Sequence, residues 1–442
     1  MRTSPRSPRR LTALAATLTV TALALTACGQ GDRGDDGAAS AEEEAASGEA
    51  VSIRFAWWGS DHYHEMYQEV ADAFMAENPD VEIVTDFTDW GGYWDKLATT
   101  VAAGDTPDVL MQEQRYLREY AERGVLADLS QTDIATDAMD QGTLETGEVD
   151  GELVAIPTGV NVFSVLANTK VFADAGVPLP DDTTWSWEDY AEVATQISAS
   201  GTGAIGRQDL WNDAAFNIFA RQRGEQLFTE DGELGYTDET LVDFWEVALG
   251  LQESGGQPPA STTVELETVG PERSLVATNA GGMVPEWTNQ LSAVANAAGQ
   301  DIELLRWPGE SQGERTGMYF KPALYASMSA QTEHPEAAAR FIDFMLNSET
   351  AGDIILADLG LPANLDIRER IVPKLPEVDR QSAEFVADLA DEVVDSPPVP
   401  PAGAGEAAAV MSRINSEVLF ERLTPEQGAA QLRTELEAIL SS

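Results

Sequence analysis

Between residues 55 and 65 the chain reads FAWWGSDHYHE, a stretch that holds two tryptophans, an aspartate and two of the three histidines. These residue types could bind a metal, do catalysis or line a binding cleft. His62 and His64 stand two apart in what reads as the first turn of a helix. Neighbours on one helix face are three or four apart, so these rings diverge. A zinc site of the His-Glu-x-x-His kind needs the wider spacing, and His334, before a proline, has no companion. No metal and no cofactor are expected. Nor is there a Gly-x-Ser-x-Gly elbow, a phosphate loop or a cysteine–histidine pair, since Cys28 is the only cysteine. The chain therefore reads as a non-enzyme, although its many carboxylates leave a glycosidase acid pair open on counting alone. The reading that remains is a cleft.

Alternating elements must position these residues. VSIRFAWWG reads as a buried strand that breaks at Gly59, with Ser60 or Asp61 capping a helix over 62–77. Met66, Val70, Ala73 and Phe74 mark its inner face. VEIVTDF is a second strand and YWDKLATTVAAGD a helix with Trp94, Leu97 and Val101 inward; TPDVLMQ is a third strand, followed by a helix that ends at Gly124. This order predicts an α/β layout with a mostly parallel sheet. Two β-rich runs then flank 157–161, a crossover between lobes. Further helices are expected over 184–198 (capped by Ser186), 211–224 and 238–255, with a strand over 323–329 and a helix pair over 334–360. PPVPP, 397–401, reads as a stiff linker before two closing helices.

The N-terminus sets the compartment. Arg2, Arg6, Arg9 and Arg10 precede an apolar run over 11–27 that ends in LTAC, the layout of a secretory signal. Arg9-Arg10 hints at twin-arginine export, but the flanking residues fit that pattern poorly, which favours the general secretory route. The run is too short and threonine-rich for a membrane-spanning helix. LTAC resembles a bacterial lipobox, which implies cleavage after residue 27 and lipidation of Cys28. Residues 28–50 are, after the cysteine and apart from Gln30 and Arg33, all Gly, Ala, Ser, Asp and Glu, with nothing to bury, and read as a flexible tether. Residues 51–442 exceed a single-core domain, which predicts two lobes. The formal charge of -50, from 26 basic and 76 acidic residues, argues against nucleic acid as a partner.

The order of motifs resembles the extracellular solute-binding proteins of carbohydrate ABC transporters (family 1, relatives of maltose-binding protein) over nearly the whole mature chain. AAGDTPDVL, YAERGVLADLS, DGELVAIPTGVNVFSVLANTKVFADAGV, TWSWEDYAE, HPEAAARFIDFML and LGLPANLDI carry the likeness. LANTK departs from it, since Ala167 stands where many relatives have tyrosine. The resemblance implies an α/β, type II periplasmic-binding-protein fold: two discontinuous α/β lobes with a hinge and an interlobe cleft. By position, lobe one is 51–159 and 323–363, and lobe two is 160–322 and 364–442. The crossings fall near 159–163, 322–325 and 362–366. It implies a monomeric, lipid-anchored protein on the extracytoplasmic face of the cell membrane that binds a carbohydrate and delivers it to permease subunits. A surface glycan adhesin and a secreted glycoside-active enzyme are the alternatives.

Sugars present hydroxyls that need donors and acceptors, and apolar C–H faces that pack on rings. Residues after strand ends therefore become candidates. After the first strand these are Trp57, Trp58 and Asp61, where alternation allows only one of the two rings to face ligand. After the second come Asp89, Trp90 and Tyr93, and after the third Gln112, Glu113 and Gln114. Asn161 stands in the crossover; Trp211, Asn212, Asp213, Glu286, Trp287, Tyr319, Phe320 and Lys321 complete the set. An acidic sugar would need cations, for which Arg115 and Lys321 are nearest.

Overall fold

The strand Val51–Trp58 shows how the first sheet is built. Ile53, Phe55 and Trp57 point to one face, where they meet Met66, Val70 and Phe74 of the helix Asp61–Glu77 and Phe341 of the helix Pro335–Asn347. Ala56 and Trp58 point to the other, toward Tyr93, Trp94 and Leu97 of the helix Trp90–Ala103. The period of two thus feeds two cores, and a strand covered on both faces reads as an unbroken apolar run. The computed structural model describes residues 50–208, 213–267, 270–393 and 395–441. Cys28, almost all of the expected tether, Trp211 and Asn212 lie outside the described residues.

The first sheet runs Val81–Thr88, Val51–Trp58, Val109–Gln112, Tyr325–Met328, Ile156–Pro157. Its first three strands are parallel, joined by the expected crossover helices, while Tyr325–Met328 is antiparallel to its neighbours. Ser60 takes the N-cap position of the first helix without a side-chain bond. Asp89 caps the second by accepting from the Gly92 amide at 3.1 Å, and Glu113 caps the third, Gln114–Glu122.

The second sheet runs Ile302–Leu305, Gly159–Asn168, Gly281–Trp287, Ile205–Arg207. It is mixed: the central strand Gly159–Asn168 is antiparallel to both neighbours, and Ile205–Arg207 is parallel to Gly281–Trp287. Every residue of the central strand is buried. The segment expected as a crossover is therefore the start of this long strand. Ser186 and Asp189 form a capping box on the helix Trp187–Ala199. A further core gathers Trp245 of Asp238–Ser254 against the closing helices Ala404–Leu419 and Pro425–Leu440, with the Trp245 indole N–H donating to Asn415 at 3.0 Å.

Three passages of chain lie side by side between the sheets. Phe320–Pro322 and Leu361–Pro362 both pair with the start of Gly159–Asn168. A Cβ on Gly159 would sit 2.6 Å from the Leu359 carbonyl oxygen and 2.7 Å from that of Leu361, so only glycine lets the passages approach this closely. Gly360 turns the third passage at φ +83°.

Candidate functional site

The ends of these strands face a cleft with two chambers. The larger, about 500 Å³, has Trp90, Gln114, Arg115 and Tyr116 on the side of the first sheet and Asp213, Asn217 and Tyr319 opposite. The smaller, about 210 Å³, lies by the three adjacent passages among Trp58, Tyr63, Asn161, Asn289, Gln290 and Asp358. Trp287 and Lys321 line both, so they form the wall between them.

The charges of this wall are organised around Glu113, a buried carboxylate. One oxygen accepts from Lys321 Nζ at 2.8 Å. The other accepts from Arg115 Nε at 3.1 Å and from the Arg115 amide at 2.9 Å. Burial pushes the Glu113 carboxyl up, but Lys321 and Arg115 outweigh that and hold it at about 2. Each cation also leans over an indole. Lys321 Nζ is 5.3 Å from the Trp287 ring centre, and Arg115 Cζ is 5.9 Å from that of Trp90, both within cation–π range. Rings, cations and amides from both sides thus converge on one space, the composition that sugar faces and hydroxyls require.

Of the residues singled out in the sequence, the cleft gathers Trp58, Trp90, Gln114, Asn161, Asp213, Trp287, Tyr319 and Lys321 directly, with Glu113 behind them. Trp57 is corrected to the core: it is fully buried beside Tyr67 and Phe55, because it occupies the opposite face of its strand from Trp58. Tyr93 is also core, its hydroxyl donating to the Met111 carbonyl at 2.6 Å. Asp61 and Asp89 are solvent-facing helix-start residues and line neither chamber. Gln112 is fully buried, lines neither chamber, and its amide has no hydrogen-bond partner among the described residues. Glu286 also lines neither; burial pushes its carboxyl up to about 7, against a hydrogen bond from the Trp287 amide and aided by Glu272.

The histidines serve separate partners. His64 Nδ1 accepts from the Trp57 indole N–H at 3.1 Å, and His62 Nε2 lies 2.8 Å from an Asp358 oxygen. Among the described residues no three His, Cys, Asp or Glu side chains gather as a metal site, and no helix is long and apolar enough to cross a membrane.

Sequence reasoning missed one wall of the larger chamber. Pro397, Pro398 and Pro400 line it, together with Ala408, Ala409 and Ser412 of the helix Ala404–Leu419. The fully buried Arg221 holds the start of this strap, donating to the Asp395 carboxylate at 2.6 Å and carbonyl at 2.9 Å. Arg315 donates to the other carboxylate oxygen of Asp395 at 2.9 Å. Val399 reaches across to the aromatic cluster of the first sheet that contains Trp94 and Tyr116. A Cβ on Gly405 would lie 2.7 Å from the Tyr116 ring, so the missing side chain permits this approach. The proline run was the visible signal; that a stiff segment walls a cleft is not encoded locally.

The family model of the bacterial extracellular solute-binding proteins matches residues 69–381. The chain belongs to this family. An uncharacterised lipoprotein of Streptomyces antibioticus is 24% identical over 314 residues, 67% of this chain and 66% of its own length. The chain thus spans just under two thirds of that relative. The diacetylchitobiose binding protein DasA of Streptomyces coelicolor is 23% identical over 354 residues, covering 77% of this chain and 79% of the relative. The same two-lobed fold occurs in a periplasmic oligogalacturonide binding protein of Yersinia enterocolitica solved with saturated digalacturonic acid, at TM-score 0.75 and 18% identity over 88% of this chain and 99% of that one. Members of the family are binding proteins, and the cleft between the two sheets is where this solute-binding protein offers its converging rings and polar groups.

Proposed function

We propose that this chain is the sugar-binding lipoprotein of an ABC importer, which captures an oligosaccharide between its lobes and presents it to a membrane permease. The observation that carries this is the Trp287–Lys321 wall, flanked by Trp58 and Trp90 and by the amides of Gln114 and Asn161. The sugar-binding relatives named above support the ligand class. We take 51–159 with 323–363 as one lobe and 160–322 with 364–442 as the other. The three adjacent passages would then be the hinge, and sugar would select the closed state because only there does it touch both lobes. Glu113, held at about 2 between two cations, does not serve as a general acid at neutral pH. The testing experiment is a thermal-shift screen over sugars, since a ligand that binds only the folded form raises Tm. A binding sugar should also shrink the radius of gyration in X-ray scattering. No stabilising sugar in a broad screen refutes the reading.

Cys28 in this reading anchors the protein on the extracytoplasmic face, with residues 1–27 removed; the Streptomyces antibioticus relative is itself a lipoprotein. Mass spectrometry of the membrane fraction should find Cys28 as the N-terminus with added acyl mass. A soluble product that retains Thr26 and Ala27 refutes it.

A further inference from the structure

The cleft's cations are already spoken for. Among the described residues, Arg115 and Lys321 are the positive side chains lining the chambers. Glu113 sits between them and gives one oxygen to each, at 3.1 and 2.8 Å. It is only 4% exposed, so water does little to screen these contacts. Asp213 faces Arg115 from the other side of the larger chamber and acts on it electrostatically. Two positive charges thus meet two negative ones. The smaller chamber adds a further carboxylate, Asp358, paired with His62. The short segments outside the described residues in this half of the chain, Asp-Leu-Trp-Asn at 209–212 and Thr-Val at 268–269, contain no lysine or arginine. At longer range the formal charge of -50 opposes any anion that approaches.

Resting on the sugar reading of this cleft, we infer that its ligand is an uncharged saccharide and that Glu113 sets this choice by neutralising Lys321 and Arg115. A uronate would bring a second carboxylate to cations that already hold a buried one, and like charges so placed repel. A neutral sugar has no such conflict. Its hydroxyls accept from the guanidinium N–H groups of Arg115 that Glu113 does not use, and donate to Asp213 or to the amide of Gln114. Glu113 also fixes Lys321 over Trp287, which keeps the shared wall in one shape whether or not sugar is present.

The test is calorimetric titration of the full mature chain with neutral di- and trisaccharides of glucose, galactose and N-acetylglucosamine, and with digalacturonate. A neutral saccharide should bind, with an affinity nearly flat in salt, and digalacturonate should bind at least about tenfold more weakly. In Glu113→Gln the two cations keep an acceptor but lose its charge, and digalacturonate should gain about tenfold or more, a gain that salt erases. Wild-type protein that prefers digalacturonate to every neutral saccharide overturns the inference and leaves the sugar reading intact. Binding of no saccharide at all overturns the sugar reading and this inference with it. If Glu113→Gln does not fold, Asp213→Asn should shift digalacturonate in the same direction, and a folded Asp213→Asn with unchanged digalacturonate affinity overturns the inference.

Discussion

Replacing Trp287 by alanine isolates the shared wall from the charges around it. The indole lines both chambers. It packs against Phe163 at 4.9 Å between ring centres and lies 5.3 Å from the Lys321 ammonium. In Trp287→Ala, Lys321 retains its 2.8 Å bond to Glu113, so the ion pair survives and the ring is read alone. By analogy with other ring-stacking sites, the lost ring costs about 1–3 kcal/mol of binding. That is a loss of roughly five- to 150-fold in Kd. The cost to the fold is a separate quantity. Trp287 is only partly buried, so truncation should cost less than the roughly 3–5 kcal/mol typical of a fully buried tryptophan. Calorimetry with the best sugar from the thermal-shift screen reads the first quantity, and guanidinium unfolding without sugar reads the second. Trp287→Phe keeps an aromatic face and should recover most of the affinity. A folded Trp287→Ala protein that binds within twofold of wild type refutes the reasoning, because the sugar then does not rest on this wall.

Three further outcomes are expected. Val399→Gly removes the strap's contact with the aromatic cluster, at about 1 kcal/mol for a partly buried valine; if that contact helps to hold the chamber wall in place, every sugar should weaken by the same factor of about five, and an unchanged Kd shows that it does not. Glu286 has its carboxyl raised to about 7 by burial, so its protonated form favours the fold below the ordinary glutamate range and that stability is lost as pH rises through about 7; urea midpoints should fall from pH 5 to pH 8, and Glu286→Gln should flatten the fall and raise stability at pH 8. His64→Ala strips the acceptor from the buried Trp57 N–H and should cost about 1–3 kcal/mol in denaturant unfolding, with sugar affinity and metal content unmoved.

The elements were legible in the sequence because their signals are local. A period of three to four marked Met66, Val70 and Phe74 as one helix face, and Ser186 was expected as the cap of a helix that it does cap, through a capping box with Asp189. The strand ends also pointed toward the cleft, since ligands of open α/β sheets sit beyond them. What the sequence left even was which member of an adjacent pair turns inward. Trp57 and Trp58 differ only in face, and the helix Asp61–Glu77 packs on the face that takes Trp57. Glu113 and Lys321 stand 208 residues apart in the chain and meet at 2.8 Å. PPVPP was readable as stiff, yet its place as a chamber wall depends on Arg221 and Arg315 gripping Asp395 and on Gly405 admitting Tyr116. Local periodicity records what each segment is, because burial of one face or two imposes it residue by residue. The charge balance of the cleft arises from contacts between distant segments, and only the packed lobes bring those together.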